Sequence, residues 1–256
     1  MIRNTLWAVV LACALPAWPI AQTPKQLRIA AASDLQAALP DIVRDFERSA
    51  PVRVTVSYGS SGNFFAQIQN GAPFDVFLSA DVDYPRQLAD AGLADPSTLQ
   101  LYATGHLVVW ARRESKLDLS RGLAALTDAK VRHVAIANPK YAPYGRAAVA
   151  ALRAARLYDA VQPKLVMGES LAQAAQLVES GNADVGLLSR SLVLGPTLKA
   201  EGTYADVVVA YPPIDQAGVV VKASREPALA RAFIAFLRRG DTGRQLERFG
   251  FALPRR

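Results

Sequence analysis

Apolar residues follow two different periods on either side of Ser33. Residues 29–32 form a continuous apolar run, whereas Leu39, Ile42 and Phe46 recur at helical spacing. The first pattern predicts a buried strand and the second an amphipathic helix. A sharp turn is therefore expected between them, with Ser33 at or beside the start of the helix.

Ser33 and Asp34 lie at this turn. Serine and aspartate are preferred at helix N-caps because their side-chain oxygens accept hydrogen bonds from the free N–H groups of the first turn. A helix N-terminus also presents unpaired N–H groups and partial positive charge, so that it can bind an anion. Taken by itself, the turn needs no explanation beyond capping.

The same order of strand, turn and helix recurs three times. The further strand patterns are residues 52–58, 131–137 and 164–168, each followed by a turn and a helical pattern. Such alternation favours parallel sheets with crossover helices, and ligands bind these sheets where strand ends meet helix N-termini. The four helix starts carry Ser33, Ser61, Tyr144 and the pair Ser170-Leu171.

Two patterns indicate that the chain passes between two lobes. Residues 101–111 read as one long strand, and strand patterns at 207–211 and 218–222 flank Pro212-Pro213. We interpret them as outward and return crossings. The sequence therefore predicts an α/β fold of two lobes, each a mostly parallel sheet flanked by helices, with a ligand in the cleft. The predicted first lobe comprises 22–105 and 214–256, and the second comprises 106–213.

Composition excludes several classes of function. The 256 residues are 51% hydrophobic, which is enough for one or two packed domains. The formal charge of +7 is dispersed and forms no basic stripe with aromatics, so no nucleic-acid partner is expected. His106 and His133 lack ligand spacing for zinc, and no serine lies in a nucleophile motif. We therefore predict that the chain is not an enzyme and has no cofactor.

Residues 1–21 resemble a secretory signal peptide. Arg3 supplies a positive start, an apolar stretch covers residues 6–15, and Ala21 is the expected cleavage point. Lipid anchoring at Cys13, the only cysteine, ranks second as an interpretation. Removal of the signal leaves a chain without cysteine, so its stability must come from packing. The expected location is the periplasm.

Several short motifs, in this order and spacing, resemble the periplasmic molybdate-binding proteins of bacterial ABC importers, which are type II periplasmic binding proteins. The resemblance covers essentially the whole mature chain. The motifs that carry it are Ala31-Ala32-Ser33, Gly59-Ser60-Ser61-Gly62, residues 71–81, Asn138-Pro139, Pro143-Tyr144-Gly145, residues 177–181 and residues 183–186.

The resemblance implies a set of contacts to an oxyanion. It places the ligand against the hydroxyls of Ser33 and Ser61 and against backbone N–H groups at Tyr144 and Leu171. Some family members add a tyrosine hydroxyl on the strand after Val185, where this chain has Ser189 instead. A serine is too short to reach as far, so the fifth contact stays open.

Asp34, Ser60 and Ser189 are weaker candidates. A fully ionised tetrahedral oxyanion only accepts hydrogen bonds, so neutral donors suffice, whereas hydrogen phosphate also needs an acceptor. A carboxylate facing the ligand would favour a protonated anion. We therefore expect the Asp34 side chain to turn back and cap its helix.

The resemblance implies an exported substrate-binding component that binds molybdate, and tungstate as well, and delivers it to an inner-membrane ABC permease. Molybdenum is expected only inside the bound oxyanion, without a direct protein ligand. We expect a monomer. Two alternatives remain: a binding protein for another tetrahedral oxyanion such as sulfate, and an exported sensing module without a transporter.

Overall fold

The computed structural model describes residues 25–254. The predicted signal peptide at 1–21 and Cys13 therefore lie outside the described residues. Within the described range, no helix combines the length and the apolar character needed to cross a membrane.

Ten strands and ten α-helices make up most of the described chain. The strands are β1 (Lys25–Ala32), β2 (Val52–Gly59), β3 (Val76–Ser79), β4 (Gln100–Gly105), β5 (Leu107–Arg112), β6 (Val134–Ala137), β7 (Leu165–Gly168), β8 (Val185–Ser189), β9 (Gly202–Asp206) and β10 (Ile214–Val220). The α-helices are α1 (Leu39–Ser49), α2 (Ser61–Gln69), α3 (Asp83–Asp90), α4 (Pro143–Ala154), α5 (Tyr158–Val161), α6 (Leu171–Glu179), α7 (Arg190–Val193), α8 (Pro196–Glu201), α9 (Pro227–Leu237) and α10 (Gly240–Arg248).

The strands form two five-stranded sheets, in the orders β2-β1-β3-β10-β4 and β7-β6-β8-β5-β9. In the first sheet β1 is parallel to β2 and β3, while β10 is antiparallel to β3 and β4. In the second, β6 is parallel to β7 and β8, while β5 is antiparallel to β8 and β9. The predicted two-lobe α/β fold is confirmed, although both sheets are mixed because β5 and β10 run against their neighbours. The predicted residue boundaries of the lobes stay a prediction.

The first sheet is covered on both faces, which explains the continuous apolar run at its centre. Ile29 and Ala31 of β1 pack into a cluster with α1 and α9. Ala30 points the other way and packs with Phe77 of β3 and Phe64 of α2. Since successive side chains of a strand face opposite sides, both faces of β1 require apolar residues.

Two strand predictions were wrong in their bounds. The predicted strand at 101–111 is interrupted at His106, with β4 in the first sheet and β5 in the second. The predicted strand at 207–211 lies outside any strand, and β9 ends just before it at Asp206. Its partner β5 begins only at Leu107, so nothing remains for Val208 and the residues after it to pair with.

The helix predicted to start at Ser33 is also divided in two. Ser33–Gln36 forms one 3₁₀ turn, and α1 begins only at Leu39. Pro40 lies in the first turn of α1, where its missing N–H costs no hydrogen bond. Further inside a continuous helix the same proline would remove one, so the helix restarts there.

Candidate functional site

A small cavity lies where the two sheets face each other. Its walls include all four principal candidates from the sequence, together with Asp34 and Ser60. About 10 Å³ is open to the centre of a water-sized sphere, roughly what one water needs. A ligand of several heavy atoms therefore requires the groups that line the cavity to shift outward by a small amount. The lining residues are Ala32, Ser33, Asp34, Gly59, Ser60, Ser61, Ala80, Ala142, Pro143, Tyr144 and Leu171.

Ser33 connects the two lobes at this cavity. It follows β1, is buried, and does not cap its own helix. Its Oγ instead accepts a hydrogen bond at 3.3 Å from the backbone N–H of Ala172, in the first turn of α6 in the second lobe. Because the oxygen already accepts from an N–H, the hydroxyl hydrogen is left to donate to a ligand.

The second serine is held in a similar way within the first lobe. Ser60 is the N-cap of α2 and accepts from the N–H of Asn63 at 3.4 Å. Ser61 is the first residue of α2, and its buried Oγ accepts from the N–H of Ala80 at 3.0 Å. Its hydroxyl hydrogen is likewise left to donate.

Two helix N-termini of the second lobe complete the cavity. Pro143 starts α4, and Tyr144 is its second residue. Leu171 starts α6, whose N-cap Ser170 accepts from the N–H of Gln173 at 3.3 Å. The first N–H groups of a helix have no acceptor within it. The N–H groups of Tyr144 and Leu171 can therefore serve a ligand.

The prediction that Asp34 caps its helix was wrong. No side-chain capping bond forms at this turn, and Asp34 Oδ2 accepts from the side-chain amide of Gln216. Burial raises the pKa of the Asp34 carboxyl from about 3.8 to about 6, although the hydrogen bond from the Gln216 amide opposes the shift. The carboxyl is buried, and its Oδ1 has no hydrogen-bond partner. A neighbouring amide thus takes the role that the helix N–H groups would have played.

Ser189, a weaker candidate because a serine was expected to be too short to reach the ligand, does not line the cavity. It is the N-cap of α7, where its Oγ accepts from the N–H of Leu192 at 3.2 Å. Ser191, two residues later, donates its hydroxyl hydrogen to the backbone oxygen of Asp34 at 2.7 Å. This stretch therefore meets the first lobe through Ser191.

Sequence reasoning missed Gln216 of β10. It is fully buried, and its side-chain oxygen accepts from the Tyr102 hydroxyl at 2.9 Å. Its amide nitrogen serves Asp34 and lies 3.5 Å from the Tyr144 hydroxyl. A Cβ on Gly105 would lie only 2.0 Å from that hydroxyl, so only glycine admits the tyrosine ring here. The available signal was a glutamine beside Asp215 at the polar start of a strand whose remaining residues are apolar or glycine.

A further set of contacts joins the lobes beside the cavity. Arg146 of α4 reaches across to Asp81 and to the Tyr84 hydroxyl of the first lobe. The N–H of Gly62 donates to the Tyr141 carbonyl at 2.8 Å. A Cβ on Gly62 would lie 2.8 Å from that oxygen, so the approach depends on glycine.

The lining residues provide hydrogen-bond donors without a positive charge. None of them is Lys, Arg or His, and Asp34 is the only acidic one. Within residues 25–254, no cluster of three or more His, Cys, Asp or Glu could hold a metal ion. Hydroxyls and helix N-termini converge on one small space, which is an arrangement that binds a small anion.

Comparison with known proteins assigns the chain to a family. The family model described as bacterial extracellular solute-binding protein matches residues 27–252. The chain is a bacterial extracellular solute-binding protein. The prediction of a type II periplasmic binding protein fold agrees with this assignment.

Individual members of this solute-binding family resemble the chain over nearly its full length. The molybdate-binding protein ModA of Rhodobacter capsulatus is 36% identical, over 96% of this chain and 94% of that protein. ModA of Azotobacter vinelandii is also 36% identical, over 97% and 95%. The solved structure of the Azotobacter vinelandii periplasmic molybdate-binding protein has a TM-score of 0.81 at 32% identity, covering 90% of this chain and 100% of that one. These relatives are binding proteins, which confirms the prediction that this solute-binding protein is not an enzyme.

Proposed function

We propose that this solute-binding protein is the periplasmic component of an ABC importer and that it captures molybdate, and tungstate as well, between its two lobes. The relatives named above support molybdate as the ligand. The observation that carries the proposal is the convergence of two hydrogen-bonded serine hydroxyls and two helix N-termini on a cavity without a cation.

The donors suit a fully ionised tetrahedral oxyanion. The hydroxyls of Ser33 and Ser61 each donate to one oxygen from the first lobe. The N–H groups of Tyr144 and Leu171 donate to the remaining oxygens from the second lobe. The ligand therefore contacts both lobes at once and stabilises the closed arrangement. The protein contacts only oxygen atoms, so molybdenum needs no direct protein ligand.

Hydrogen phosphate is the rival that a specific observation favours. The Asp34 carboxyl belongs to the cavity wall, and an ionised carboxylate could accept the proton of hydrogen phosphate. Sulfate, which has no such proton, is the other alternative. It is smaller than molybdate, so the size of the closed cavity decides between them. Tungstate has the size and charge of molybdate, so both are expected to bind.

Titration calorimetry of the mature protein with molybdate, tungstate, sulfate and phosphate at neutral pH tests the proposal. Molybdate and tungstate should bind at one site per chain, and sulfate and phosphate should bind far more weakly. Preferential binding of phosphate would favour the rival, and no heat with any of the four would remove the oxyanion function altogether.

Delivery to a permease is tested separately. Immobilised protein loaded with molybdate should retain an inner-membrane ABC permease from detergent-solubilised membranes of its host, while ligand-free protein should retain less. Absence of any transporter among the retained proteins would favour the sensing module. Light scattering should give the mass of one chain, since we propose that the protein acts as a monomer.

A further inference from the structure

Asp34 presents an electrostatic conflict that rests on the proposed function. A carboxyl group lines a cavity meant for a doubly charged anion, and no positive residue lines the same cavity. An ionised Asp34 would repel the ligand at short range in a buried site, where charges are weakly screened. Either the carboxyl or the ligand must therefore carry a proton in the complex.

The hydrogen bonds of Asp34 show which oxygen can take that proton. Oδ2 accepts from the Gln216 amide, whose own oxygen is occupied by the Tyr102 hydroxyl. Gln216 is thereby fixed as a donor, so Oδ2 must remain an acceptor. Oδ1 is buried and has no protein partner. A proton on Oδ1 would turn this unpaired acceptor into a donor.

The groups around Asp34 are neutral near neutral pH. Tyr144 of α4 faces it, and Tyr102 of β4 lies behind Gln216 of β10. Burial, followed by the charge of Asp34, raises the pKa of both tyrosines well above 10. From α7, the hydroxyl of Ser191 contacts the Asp34 backbone oxygen.

Charged residues on the elements around this site are engaged in ion pairs. Asp81, beyond Tyr102, forms an ion pair with Arg146. At the start of α7, Arg190 pairs with Asp206 at 2.6 Å. Neither pair supplies a free cation for Asp34.

We propose that binding of the dianion is coupled to uptake of one proton from solvent by Asp34, and that the neutral carboxyl then donates to the anion as the fifth donor. The new O–H bond forms at Oδ1, and the buffer supplies the proton. A neutral donor at Asp34 also discriminates against hydrogen phosphate, which needs an acceptor.

The direction of the pH dependence follows from the raised pKa of Asp34. Burial raises this pKa to about 6, so the buried arrangement favours the protonated form. The contribution of the protonated Asp34 carboxyl to stability is complete below its ordinary pKa near 3.8 and is lost as the pH rises through its raised pKa of about 6. A bound dianion shifts the pKa further in the same direction. Affinity for molybdate should therefore fall as the pH rises above 6, approaching tenfold per pH unit.

Calorimetry of molybdate binding at pH 8, in two buffers with different heats of ionisation, measures the proton directly. The parent protein should take up close to one proton per anion, and Asp34→Asn should take up none. Asparagine keeps the shape, can accept from Gln216, and donates without ionising. At pH 8, two units above a pKa of about 6, ionisation weakens the parent by about a hundredfold. Asp34→Asn should therefore bind more tightly than the parent there, by up to that factor.

His106→Gln serves as the matched control, because histidine is the other side chain that ordinarily titrates in this range. Burial and the charge of Arg190 lower the pKa of His106, so its replacement should leave the proton count unchanged. Affinity for molybdate that is flat from pH 6 to 8.5, with no proton uptake in the parent, overturns the inference while leaving the proposed function intact. Weaker binding of Asp34→Asn at every pH would also overturn it. Failure of the parent to bind any oxyanion removes both proposals.

Discussion

Replacement of Ser33 by alanine separates ligand binding from folding. The hydroxyl accepts from the N–H of Ala172 across the lobes and is proposed to donate to the anion. A hydrogen bond to a charged group contributes about 1.5–3 kcal/mol, so Ser33→Ala should weaken molybdate binding by roughly ten- to 150-fold. Because the contact to Ala172 joins the two lobes, its loss weakens closure as well. The free energy of unfolding without ligand should change by only about 1 kcal/mol, the net contribution of one hydrogen bond.

Ser61→Ala should lower both affinity and stability. Its hydroxyl accepts from the buried N–H of Ala80 inside one lobe, so the contact exists whether or not a ligand is bound. Alanine leaves that N–H unpaired, at a cost of about 1–3 kcal/mol. The melting temperature should fall by roughly 2–12 °C for a chain of this size. The loss of affinity should resemble that of Ser33→Ala.

Ser189→Ala is the matched control for both variants, since the residue is equally buried but lies outside the cavity. It removes the cap of α7, which should cost about 0.5–2 kcal/mol of stability and leave affinity nearly unchanged. Calorimetry gives the dissociation constants, and thermal melts without ligand give the stabilities. The reasoning is refuted if Ser33→Ala and Ser61→Ala bind like the parent while Ser189→Ala does not.

Three further predictions concern closure of the lobes. Gly62→Ala places a Cβ 2.8 Å from the Tyr141 oxygen, so it should hinder closure of the lobes. Calorimetry should show a higher dissociation constant for molybdate, and circular dichroism should show an unchanged fold. Unchanged affinity would contradict this prediction. Arg146→Gln removes the contact to Asp81, which is worth about 0.2–1 kcal/mol for an exposed pair. Dissociation of molybdate should therefore be faster by up to about fivefold in stopped-flow fluorescence. Arg153→Gln, which lies within α4 but is not part of that contact, should leave the rate unchanged. Molybdate at a hundredfold excess over Kd should stabilise the parent by about 2.7 kcal/mol, or roughly 5–11 °C, and no shift with molybdate or tungstate would count against the proposed function.

The local parts of the site could be predicted because local sequence determines them. The strand that ends just before Ser33 and the glycine-serine turn before Ser61 both place a hydroxyl at the start of a helical turn. Pro143 and Ser170 mark two further helix starts by their residue types. Each signal lies within a few residues of the group that it positions.

The parts that could not be predicted depend on distant residues. Asp34 was expected to cap its own helix, as aspartate commonly does, but Gln216 is 182 positions away and binds it instead. Local propensity gave no reason to pair them, because only the return of β10 into the first sheet brings them together. The end of β9 at Asp206 has a similar cause, since the start of β5 decides how far it can pair.

The contacts of Ser33 explain why an anion without any basic partner could hold the lobes together. A ligand shifts a conformational equilibrium only as far as it binds one state better than the other. In the closed arrangement the N–H of Ala172 donates to Ser33, and Leu171 beside it starts α6 at the cavity. An oxyanion that accepts from the Ser33 hydroxyl and from the Leu171 N–H would make both contacts only when the lobes meet. A surface lysine could bind the same anion in the open state equally well, and would contribute affinity without closure. Under the proposed function, neutral donors divided between two lobes would therefore couple occupancy to closure, and a permease could recognise the loaded protein by its closed shape.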